Sequence, residues 1–413
     1  MREMKDSGIE WAGVIPNTWN INKGKYFMEL LTRPTLETDE VITCFRDGEV
    51  TLRSKRREEG FTVSLTEAGY QGIEIGDLVV HGMDGFAGSI GISDSRGKAT
   101  PVLNVLDTEQ NKRYMMYLMR TMAYCELFLS LATGIRVRTC DTNWKKLREI
   151  DYILPTIPEQ KAIADFLDEQ CAEIDSLISD IQSQIEALEE YKRSVITEAV
   201  TKGLDPDVEM RDSGVQWIGM MPTHCDCQRG KYLLRYVQKP VRDDDGVITC
   251  FRDGEVTLRS NRREEGFTMA DKEIGYQGID VGDLVVHGMD GFAGSIGISD
   301  SKGKASPVLN VLDTEQNKRY IMYYLRSMAY NDVFVALATG IRVRSCDLRW
   351  NKLAELLYPM PPVEEQQAIV EHIDSVLERT NAIIADKKQQ IETIEEYKKS
   401  LIFEYVTGKK EVA

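Results

Sequence analysis

The sequence VITCFRDGEVTLRS stands at residues 41–54, and the identical sequence returns at residues 247–260. A second block, residues 76–95, matches residues 282–301 at every position and at the same offset of 206 residues. Self-similarity at one fixed offset identifies the chain as a tandem duplication. Each half is therefore expected to fold in the same way.

Each half closes with a long segment in which apolar residues recur every three or four positions, the spacing of one face of an α-helix. In the first half these residues are Ile163, Leu167, Cys171, Ile174, Ile178, Ile181, Ile185, Leu188, Tyr191 and Val195. In the second half they are Ile369, Ile373, Leu377, Ile384, Ile391, Ile394, Tyr397 and Leu401, with Thr380 and Lys387 as polar interruptions. Neither segment contains glycine or proline between its opening prolines and Gly203 or Gly408. Each predicts a helix of about 43 residues, roughly 65 Å long.

A helix of this length cannot bury its apolar face against itself. Pairing of the two faces as a coiled coil is the economical solution, and two equal halves related by a pseudo-twofold axis would run the helices antiparallel. Thr380 and Lys387 would help to fix the register of the pair at some cost in stability. The predicted boundaries are residues 1–154 for the first globular domain, 155–205 for the first long helix, 206–360 for the second domain and 361–413 for the second helix.

The globular part of each half, about residues 21–154 and 227–360, mixes strand and helix patterns. Short apolar runs at residues 76–80 and 89–92, on either side of a glycine-rich loop, predict two strands. Residues 112–131 predict a helix whose apolar face comprises Tyr114, Met115, Leu118, Met122 and Leu127. The predicted fold is α/β, with two similar domains, two long helices pairing as an antiparallel coiled coil, and pseudo-twofold symmetry.

The chain carries a formal net charge of −16, which is unexpected for a protein that touches nucleic acid, so its distribution matters. Residues 41–144 carry twelve Lys and Arg against thirteen Asp and Glu. Residues 156–200 carry three against eleven, and residues 365–407 carry five against nine. The acidity lies disproportionately in the predicted helices, which suit solvent or a basic protein partner. The globular parts can still present a clustered basic face.

Eight cysteines are scattered without C-x-x-C spacing, which favours reduced thiols in a cytoplasm over a disulfide framework. The one close pair, Cys225 and Cys227, has no matching ligand pair nearby, and no metal site is predicted. The start of the chain is polar, and no apolar stretch is long enough for a signal peptide or a membrane span. A cytoplasmic protein that does not bind a membrane is expected.

No catalytic motif is complete. Residues 97–99 resemble the end of a phosphate-binding loop, but the motif requires a glycine where Ile92 stands and a hydroxyl where Ala99 stands. An adenine methyltransferase would need an Asn/Asp-Pro-Pro-aromatic tetrad, and the one Pro-Pro pair, at residues 361–362, follows Met360. The sequence therefore predicts a protein without catalytic residues and without a cofactor of its own.

Each half contains a cluster of cations, and guanidinium groups suit phosphate oxygens and the O6 and N7 atoms of guanine. The clusters comprise Arg53, Lys55, Arg56 and Arg57 in the first half and Arg259, Arg262 and Arg263 in the second. Two alternating arginines that would share one face of a strand follow in each half, Arg136 with Arg138 and Arg342 with Arg344. All are predicted to bind DNA. A solvated surface strand balanced by Glu58 and Glu59 stays open as the alternative for the first cluster.

A loop of small and polar residues begins at His81 and is repeated from His287. Such a loop can approach base edges closely, and Asp84 could accept a hydrogen bond from cytosine N4. The predicted DNA-binding residues of the two loops are His81, Asp84, His287 and Asp290. The alternatives are that Asp84 caps a turn, that Phe86 belongs to the core and that His81 is a hydrogen-bonded structural histidine.

Three features together resemble the specificity subunits of type I restriction–modification systems. The first is SGIEWAGVIP at residues 7–16, the second is the pattern P-x-x-x-E-Q-x-x-I at residues 155–163, and the third is YKRSVITEAV at residues 191–200. Each occurs twice with small changes, so the resemblance covers nearly the whole chain.

The resemblance implies two target-recognition domains that each read one half of a split DNA target, with the helices docking two methyltransferase subunits. It also implies that S-adenosylmethionine and ATP belong to partner subunits, including a restriction nuclease subunit where one exists. The resemblance also implies that the surface around the start of each long helix binds a partner. The residues there are Glu159, Gln160, Glu365 and Gln366. The repeat further predicts a gapped, palindromic target. Two other classes stay open, a protein-binding scaffold with duplicated domains and no DNA role, and an enzyme with an unrecognised motif.

Overall fold

The computed structural model describes residues 2–56, 67–130, 142–262, 274–336 and 348–412. It divides into two compact units: unit 1 comprises residues 1–181 and 388–413, and unit 2 comprises residues 182–387. Each unit contains one globular domain, the first part of the long helix that follows that domain, and the last part of the other long helix.

The helices are α1 (Lys112–Tyr124), α2 (Leu127–Ser130), α3 (Trp144–Leu147), α4 (Ile157–Lys202), α5 (Gly230–Leu233), α6 (Lys318–Tyr330), α7 (Val333–Ala336), α8 (Trp350–Leu353) and α9 (Val363–Val406). The strands of the first domain are β1 (Met4–Asp6), β2 (Val14–Pro16), β3 (Asn20–Lys23), β4 (Met28–Leu31), β5 (Ile42–Cys44), β6 (Val50–Leu52), β7 (Gln71–Ile73), β8 (Leu78–His81), β9 (Ile90–Ile92), β10 (Gly97–Ala99), β11 (Leu103–Thr108) and β12 (Asp151–Leu154). Those of the second domain are β13 (Met210–Asp212), β14 (Met220–Pro222), β15 (Asp226–Arg229), β16 (Arg235–Tyr236), β17 (Ile248–Cys250), β18 (Val256–Leu258), β19 (Gln277–Ile279), β20 (Leu284–His287), β21 (Ile296–Ile298), β22 (Gly303–Ala305), β23 (Leu309–Asp313) and β24 (Leu357–Met360).

A four-stranded antiparallel sheet in the order β4-β11-β8-β9 forms the centre of the first domain. Strand β8 pairs with β11, so that Val79 lies opposite Val105 and Leu78 opposite Leu106. Two-stranded pairs surround this sheet, and one of them, β3 with β12, joins the start of the domain to the strand that precedes α4. The mixed helix-and-strand class is confirmed, and the named strands of the described residues pair antiparallel.

Both faces of the central sheet are buried. Successive side chains of a strand point to opposite faces, so Leu78 and Val80 pack against α1 while Val79 packs against the β5–β6 hairpin. All three side chains have no exposed surface. The continuous apolar run Leu-Val-Val follows from this arrangement, since no position of the strand faces solvent.

Helix α1 is shorter than the sequence predicts. Asn111 caps its start by accepting hydrogen bonds from the backbone N–H groups of Arg113 and Tyr114, each at 3.0 Å. The helix ends at Tyr124, and Glu126 adopts a left-handed conformation with φ of 59° before α2 begins. The prediction of one helix over residues 112–131 is therefore wrong, because the left-handed residue Glu126 interrupts the helix and the chain continues as the separate short helix α2.

The second domain repeats this architecture within unit 2. Its central sheet has the order β16-β23-β20-β21, and Val285 lies opposite Val311 as Val79 lies opposite Val105 in the first domain. Leu284 and Val286 pack against α6 on one face, and Val285 packs against the β17–β18 hairpin on the other.

The long helices are continuous over 46 residues in α4 and 44 residues in α9. At the start of α4, Glu159 accepts hydrogen bonds from the backbone N–H and the hydroxyl of Thr156, at 3.1 and 2.9 Å. This is one arm of a capping box. Gly203, with a φ of 76°, follows the last residue of α4, because a left-handed residue after a helix is least costly when it is glycine.

The two long helices run antiparallel within each unit. In unit 1 the rings of Phe166 and Tyr405 are 4.4 Å apart, and the Lys398 ammonium lies 2.6 Å from the Asp175 carboxylate. Position therefore rises along α4 as it falls along α9. In unit 2 the Lys387 ammonium donates to Gln184 Oε1 at 2.5 Å. The predicted antiparallel coiled coil is confirmed.

The two polar interruptions of the second helix have different environments. Thr380 is buried, and its hydroxyl donates to the carbonyl of Val376 one turn earlier in the same helix, at 2.8 Å. Lys387 instead reaches Gln184 of the other helix and so favours one register. Of the apolar stripe, Tyr191 and Tyr397 are exposed. Among the described residues, no helix has the length and apolar character needed to cross a membrane.

Replacement of Ile384 by Asp should lower the free energy of unfolding by several kcal/mol, because the carboxylate would be buried in an apolar seam where Ile384 is 4% exposed. Ile383, its neighbour on α9, is 47% exposed and supplies the matched control. Ile383→Asp should change that free energy by no more than about 0.5 kcal/mol. Guanidinium denaturation followed by far-ultraviolet circular dichroism measures both. Equal effects of the two substitutions would show that α9 does not bury this face.

Candidate nucleic-acid interface

Arg120 of α1 forms hydrogen bonds that hold the turn between β5 and β6. The Arg120 guanidinium donates to the carbonyls of Ile90 at 2.7 Å and Gly48 at 2.9 Å. Gly48 has a φ of 87°, and a Cβ atom there would lie 1.8 Å from the same guanidinium. Glycine is therefore favoured by the left-handed backbone conformation, and a side chain there would also have to displace the Arg120 guanidinium. Through Arg120 the turn is thus tied to strand β9 and to α1.

A second loop, between β8 and β9, is shaped by His81. Its Nδ1 accepts hydrogen bonds from the backbone N–H groups of Met83 at 3.2 Å and Asp84 at 2.9 Å. An accepting Nδ1 requires the neutral ring with its proton on Nε2. Burial lowers the pKa of His81 below its ordinary value, and the Arg46 cation acts in the same direction, while Asp84 opposes both. His81 is therefore hydrogen-bonded within the loop and shapes it, while its predicted contact with DNA stays a prediction.

The turn and the loop meet through Arg46 and Asp84. Arg46 Nη2 lies 3.0 Å from Asp84 Oδ1, and the Arg46 side chain remains 69% exposed. The second domain repeats the pair, with Arg252 3.2 Å from Asp290 and 71% exposed. Arg46 and Arg252 were not among the residues predicted from the sequence. The signal that could have found them is their position in the block that is identical in both halves.

Where the structure describes it, at residues 53–56, the first cation cluster is not part of a strand. Arg53–Lys55 forms one turn of 3-10 helix directly after β6. Arg56 lies 2.7 Å from the Asp47 carboxylate and 3.0 Å from Glu49, and its guanidinium covers the ring of Phe45 at 4.2 Å from the centroid. Its charge is thus balanced by the neighbouring turn.

The other cluster residues also have partners. Arg53 Nε donates to the Thr43 hydroxyl at 3.1 Å, and Lys55 lies 3.2 Å from the Asp94 carboxylate. In the second domain Arg259 Nε donates to Thr249 at 3.2 Å, and Asn261, the counterpart of Lys55, donates to Thr257 at 2.8 Å. Arg262 lies 2.7 Å from Asp253 and 3.0 Å from Glu255, as Arg56 does with its own two acids. Arg57, Arg136, Arg138, Arg263, Arg342 and Arg344 lie outside the described residues.

The predicted partner-binding residues at the helix entries divide into two kinds. Gln160 is completely buried, and its amide donates to Gln110 Oε1 at 2.7 Å and to the Pro155 carbonyl at 2.9 Å. Its Oε1 accepts from the backbone N–H of Asn111 at 2.9 Å. Gln160 therefore ties the start of α4 to the start of α1 within unit 1. Gln366 makes the same three bonds in unit 2.

Glu159 and Glu365 are partly exposed, with 30% and 28% of their side chains accessible. Glu159 pairs with the guanidinium of Arg2, and Glu365 Oε2 lies 2.7 Å from His224 Nε2. A role of these entries in binding a partner stays a prediction. It concerns the surface around the two glutamates rather than the buried glutamines.

Known proteins resemble the chain over most of its length, although no protein-family model matches it. It is 24% identical over 319 residues to a putative type I restriction enzyme MjaX specificity subunit of Methanocaldococcus jannaschii, covering 74% of this chain and 71% of that relative. It is 26% identical over 323 residues to the type I restriction enzyme MjaVIII specificity subunit of the same organism, covering 73% and 72%.

The fold also has a solved counterpart. One solved structure, from work on complex assembly and conformational transition of the type I R-M system, aligns with this chain with a TM-score of 0.67 at 11% identity. The alignment covers 96% of this chain and 99% of that one. At this identity the likeness demonstrates a shared fold. Together with the two sequence relatives, it confirms the resemblance drawn from the three repeated motifs.

Lowering the pH should destabilise the protein through His81 and His287. Burial lowers the pKa of both imidazoles in the folded chain, so between that pKa and the unfolded value near 6.5 the unfolded chain binds more protons. Their contribution to stability is complete above pH 6.5 and is lost as the pH falls below it. The double substitution His81→Asn and His287→Asn keeps an acceptor but removes the titration. Chemical denaturation between pH 7.5 and 5.5 should show a smaller loss of stability in this variant.

His372, an exposed histidine of α9, supplies the control for this experiment. His372→Gln should retain the full pH dependence of the unmodified chain. If the double variant lost as much stability as the unmodified chain, the two loop histidines would not be held neutral by the fold.

Proposed function

We propose that this chain, which groups with the specificity subunits of type I restriction enzymes in both sequence and fold, is the subunit that directs such a complex to its DNA target. The observation that carries this function is the repetition of one surface. Arg46 with Asp84 in unit 1 and Arg252 with Asp290 in unit 2 are built on the same turn, the same loop and the same supporting arginine. A protein that reads a split target needs two such surfaces.

The repeated surface has the chemistry of DNA recognition. An exposed ion pair contributes about 0–1 kcal/mol, so a phosphate or a guanine edge can displace Asp84 from Arg46 at little cost. A guanidinium released in this way makes paired hydrogen bonds to phosphate oxygens or to guanine O6 and N7. Asp84 then becomes free to accept from a cytosine amino group. The scaffold alternative draws no support from the relatives, which are specificity subunits.

In this proposal the cation clusters add phosphate contacts beside the repeated surface. Arg53, Lys55 and Arg56 follow the β5–β6 hairpin, as Arg259 and Arg262 follow the β17–β18 hairpin, and all would bind phosphates after exchanging their present partners. His81 and His287 act through the shape of the loop. The remaining arginines of the sequence prediction, at positions 57, 136, 138, 263, 342 and 344, stay proposed DNA contacts on their chemistry alone.

In this proposal the chain recognises DNA and catalyses no reaction itself. Methyl transfer and ATP-driven cleavage would belong to partner subunits that bind S-adenosylmethionine and ATP. The acidic long helices suit basic surfaces on two methyltransferase subunits, and the entries around Glu159 and Glu365 would lie in that contact. We place the complex in the cytoplasm, where its DNA target is found.

The target should be a gapped palindrome. The two surfaces carry the same side chains at matching positions, so they should read the same short sequence. If a pseudo-twofold axis relates the two halves, as the tandem repeat predicts, the two readers take opposite orientations on the duplex. One half-site would then be the inverse of the other, with the two about one helical turn apart. Lys55 and its counterpart Asn261 should touch phosphate or solvent and leave the half-sites equal.

A genome-wide map of methylated adenines, with and without the gene for this chain, tests the function and the symmetry together. We expect one gapped palindromic motif to lose its methylation when the gene is removed and to regain it on complementation. The purified chain with S-adenosylmethionine should transfer no methyl groups unless methyltransferase subunits are added. An unchanged map would refute the DNA-directing role, and two unrelated half-sites or a direct repeat would refute the symmetry.

Substitution of both Arg46 and Arg252 by Ala should weaken DNA binding by the assembled complex. If each guanidinium binds one phosphate, the slope of log affinity against log salt should fall by about 1.8, or about 0.9 for each contact. If they read guanine instead, affinity should fall with little change in slope and discrimination between bases should relax by about 1–3 kcal/mol at that position. A salt titration on the methylated motif and on single-base variants distinguishes the two modes.

Arg235 offers a matched control, since it is 64% exposed and pairs with Asp313, and the corresponding residue of the first half is Glu29. A contact that both readers share cannot use this position. Arg235→Ala should therefore leave affinity, slope and base discrimination unchanged. Identical behaviour of the Arg46/Arg252 variant and this control would place the turn outside the DNA interface.

A further inference from the structure

A cluster of metal-ligand side chains lies in unit 2, away from the turn and loop of the candidate DNA interface. His224 and Cys225 stand between β14 and β15, and Glu365 lies in the first turn of α9. One nitrogen of His224, the sulfur of Cys225 and one carboxylate oxygen of Glu365 all lie within 4.8 Å of one another. Two parts of the fold, the β14–β15 connection and the start of α9, thus bring together a thiol, an imidazole and a carboxylate.

The distances suit a tetrahedral metal after a small adjustment. Zinc binds sulfur at about 2.3 Å and nitrogen or oxygen at about 2.0–2.2 Å, so tetrahedral ligand atoms lie about 3.3–3.6 Å apart. The present His224–Glu365 contact, at 2.7 Å, must open slightly, and the sulfur must approach. His224 is 43% exposed and Glu365 is 28% exposed, so the cation can enter from solvent and side-chain rotation can supply the movement. Cys225 forms the buried wall of the site and is a free thiol.

In the first repeat the corresponding carboxylate, that of Glu159, has a different partner. Thr18 and Trp19 occupy the positions of His224 and Cys225, while Glu159 is retained. There the Arg2 guanidinium pairs with Glu159 and covers the Trp19 ring at 5.5 Å from its centroid. A positive partner for the helix-entry glutamate is thus part of the chain in unit 1.

Unit 2 has valine where unit 1 has arginine. Val208 is the counterpart of Arg2, so the chain does not repeat the cation that pairs with Glu159. The second repeat instead places two side chains with metal affinity, His224 and Cys225, beside Glu365. Unit 2 thus places metal-binding side chains beside the glutamate whose counterpart in unit 1 pairs with an arginine, and this difference supports a bound cation there.

We propose that His224, Cys225 and Glu365 bind Zn²⁺, with water in the fourth position. Thiolate, imidazole and carboxylate together select a borderline metal of this kind over Mg²⁺ or Ca²⁺, which require oxygen ligands. The ion fastens the start of the second domain to the first turn of α9 and takes the role that Arg2 has in unit 1. The proposal is independent of DNA recognition and replaces the sequence-based expectation that the chain has no metal site.

Cobalt substitution gives a direct test on the full chain after removal of metal with a chelator. Co²⁺ bound through Cys225 should produce a sulfur-to-cobalt charge-transfer band in the near ultraviolet and visible bands of a tetrahedral site, at one equivalent. Zn²⁺ should abolish these bands by displacement and should raise the thermal midpoint of unfolding. Cys225→Ser should remove the charge-transfer band, and His224→Gln should weaken Zn²⁺ binding by about a hundredfold or more, since even indirect support of a ligand is worth about 10–100-fold.

Cys227→Ser is the matched control, because this sulfur lies 3.5 Å from Met221 Sδ and is not part of the trio. It should leave the spectrum and the Zn²⁺ affinity unchanged. Circular dichroism verifies folding of each variant, and the exposed His224→Gln variant keeps the test valid if Cys225→Ser fails to fold. Absence of a charge-transfer band in the folded unmodified chain, or equal Zn²⁺ affinity in that chain and in His224→Gln, would overturn the site and leave a His224–Glu365 hydrogen bond only.

Discussion

The architecture depends on the burial of one apolar face on each long helix. A helix of more than 40 residues cannot cover its own stripe, so α4 and α9 must each find a partner along their length. The chain meets this constraint in the same way in both units, by packing the start of one long helix with the end of the other. Every domain is thereby closed by residues that are far away in sequence.

Two buried tyrosines hold these closures in place. In unit 1 the Tyr114 hydroxyl lies 3.0 Å from the carbonyl of Ile153, before α4, and 3.2 Å from the carbonyl of Val406, at the end of α9. In unit 2 the Tyr320 hydroxyl likewise lies 2.9 Å from the carbonyl oxygen of Pro359 and 3.0 Å from that of Val200, so the two carbonyls share its single hydrogen. A helix leaves its last four carbonyls without partners inside the helix, so a buried hydroxyl there satisfies an obligatory acceptor. The same atom fastens α1 or α6 to the helix pair.

The cations of the candidate interface are paired, but only weakly. The described cations of the candidate interface have polar or acidic partners, and most are ion pairs on the surface. Surface pairs are weak, so they hold the side chains in place without preventing exchange for a phosphate. The acidic residues of the long helices add an unfavourable field for DNA, in keeping with the proposal that partner subunits supply part of the DNA contact. This division of labour fits a chain that reads sequence inside a larger complex.

The sequence by itself determined the duplication, the two long helices with their ends near Gly203 and Gly408, and their antiparallel pairing, because periodicity and ungapped repetition are properties of the chain alone. It also named the loop at His81 and the glutamines at the helix entries. Only the tertiary structure decided what those residues do. Gln160 is an internal tie, the helix from Lys112 ends at Tyr124, and Arg46 is an exposed cation paired with Asp84, because hydrogen-bond partners and exposure depend on segments distant in sequence. The meeting of His224 and Cys225 with Glu365 has the same cause: some 140 residues separate ligands that the packing of α9 against its own domain brings within a few ångströms.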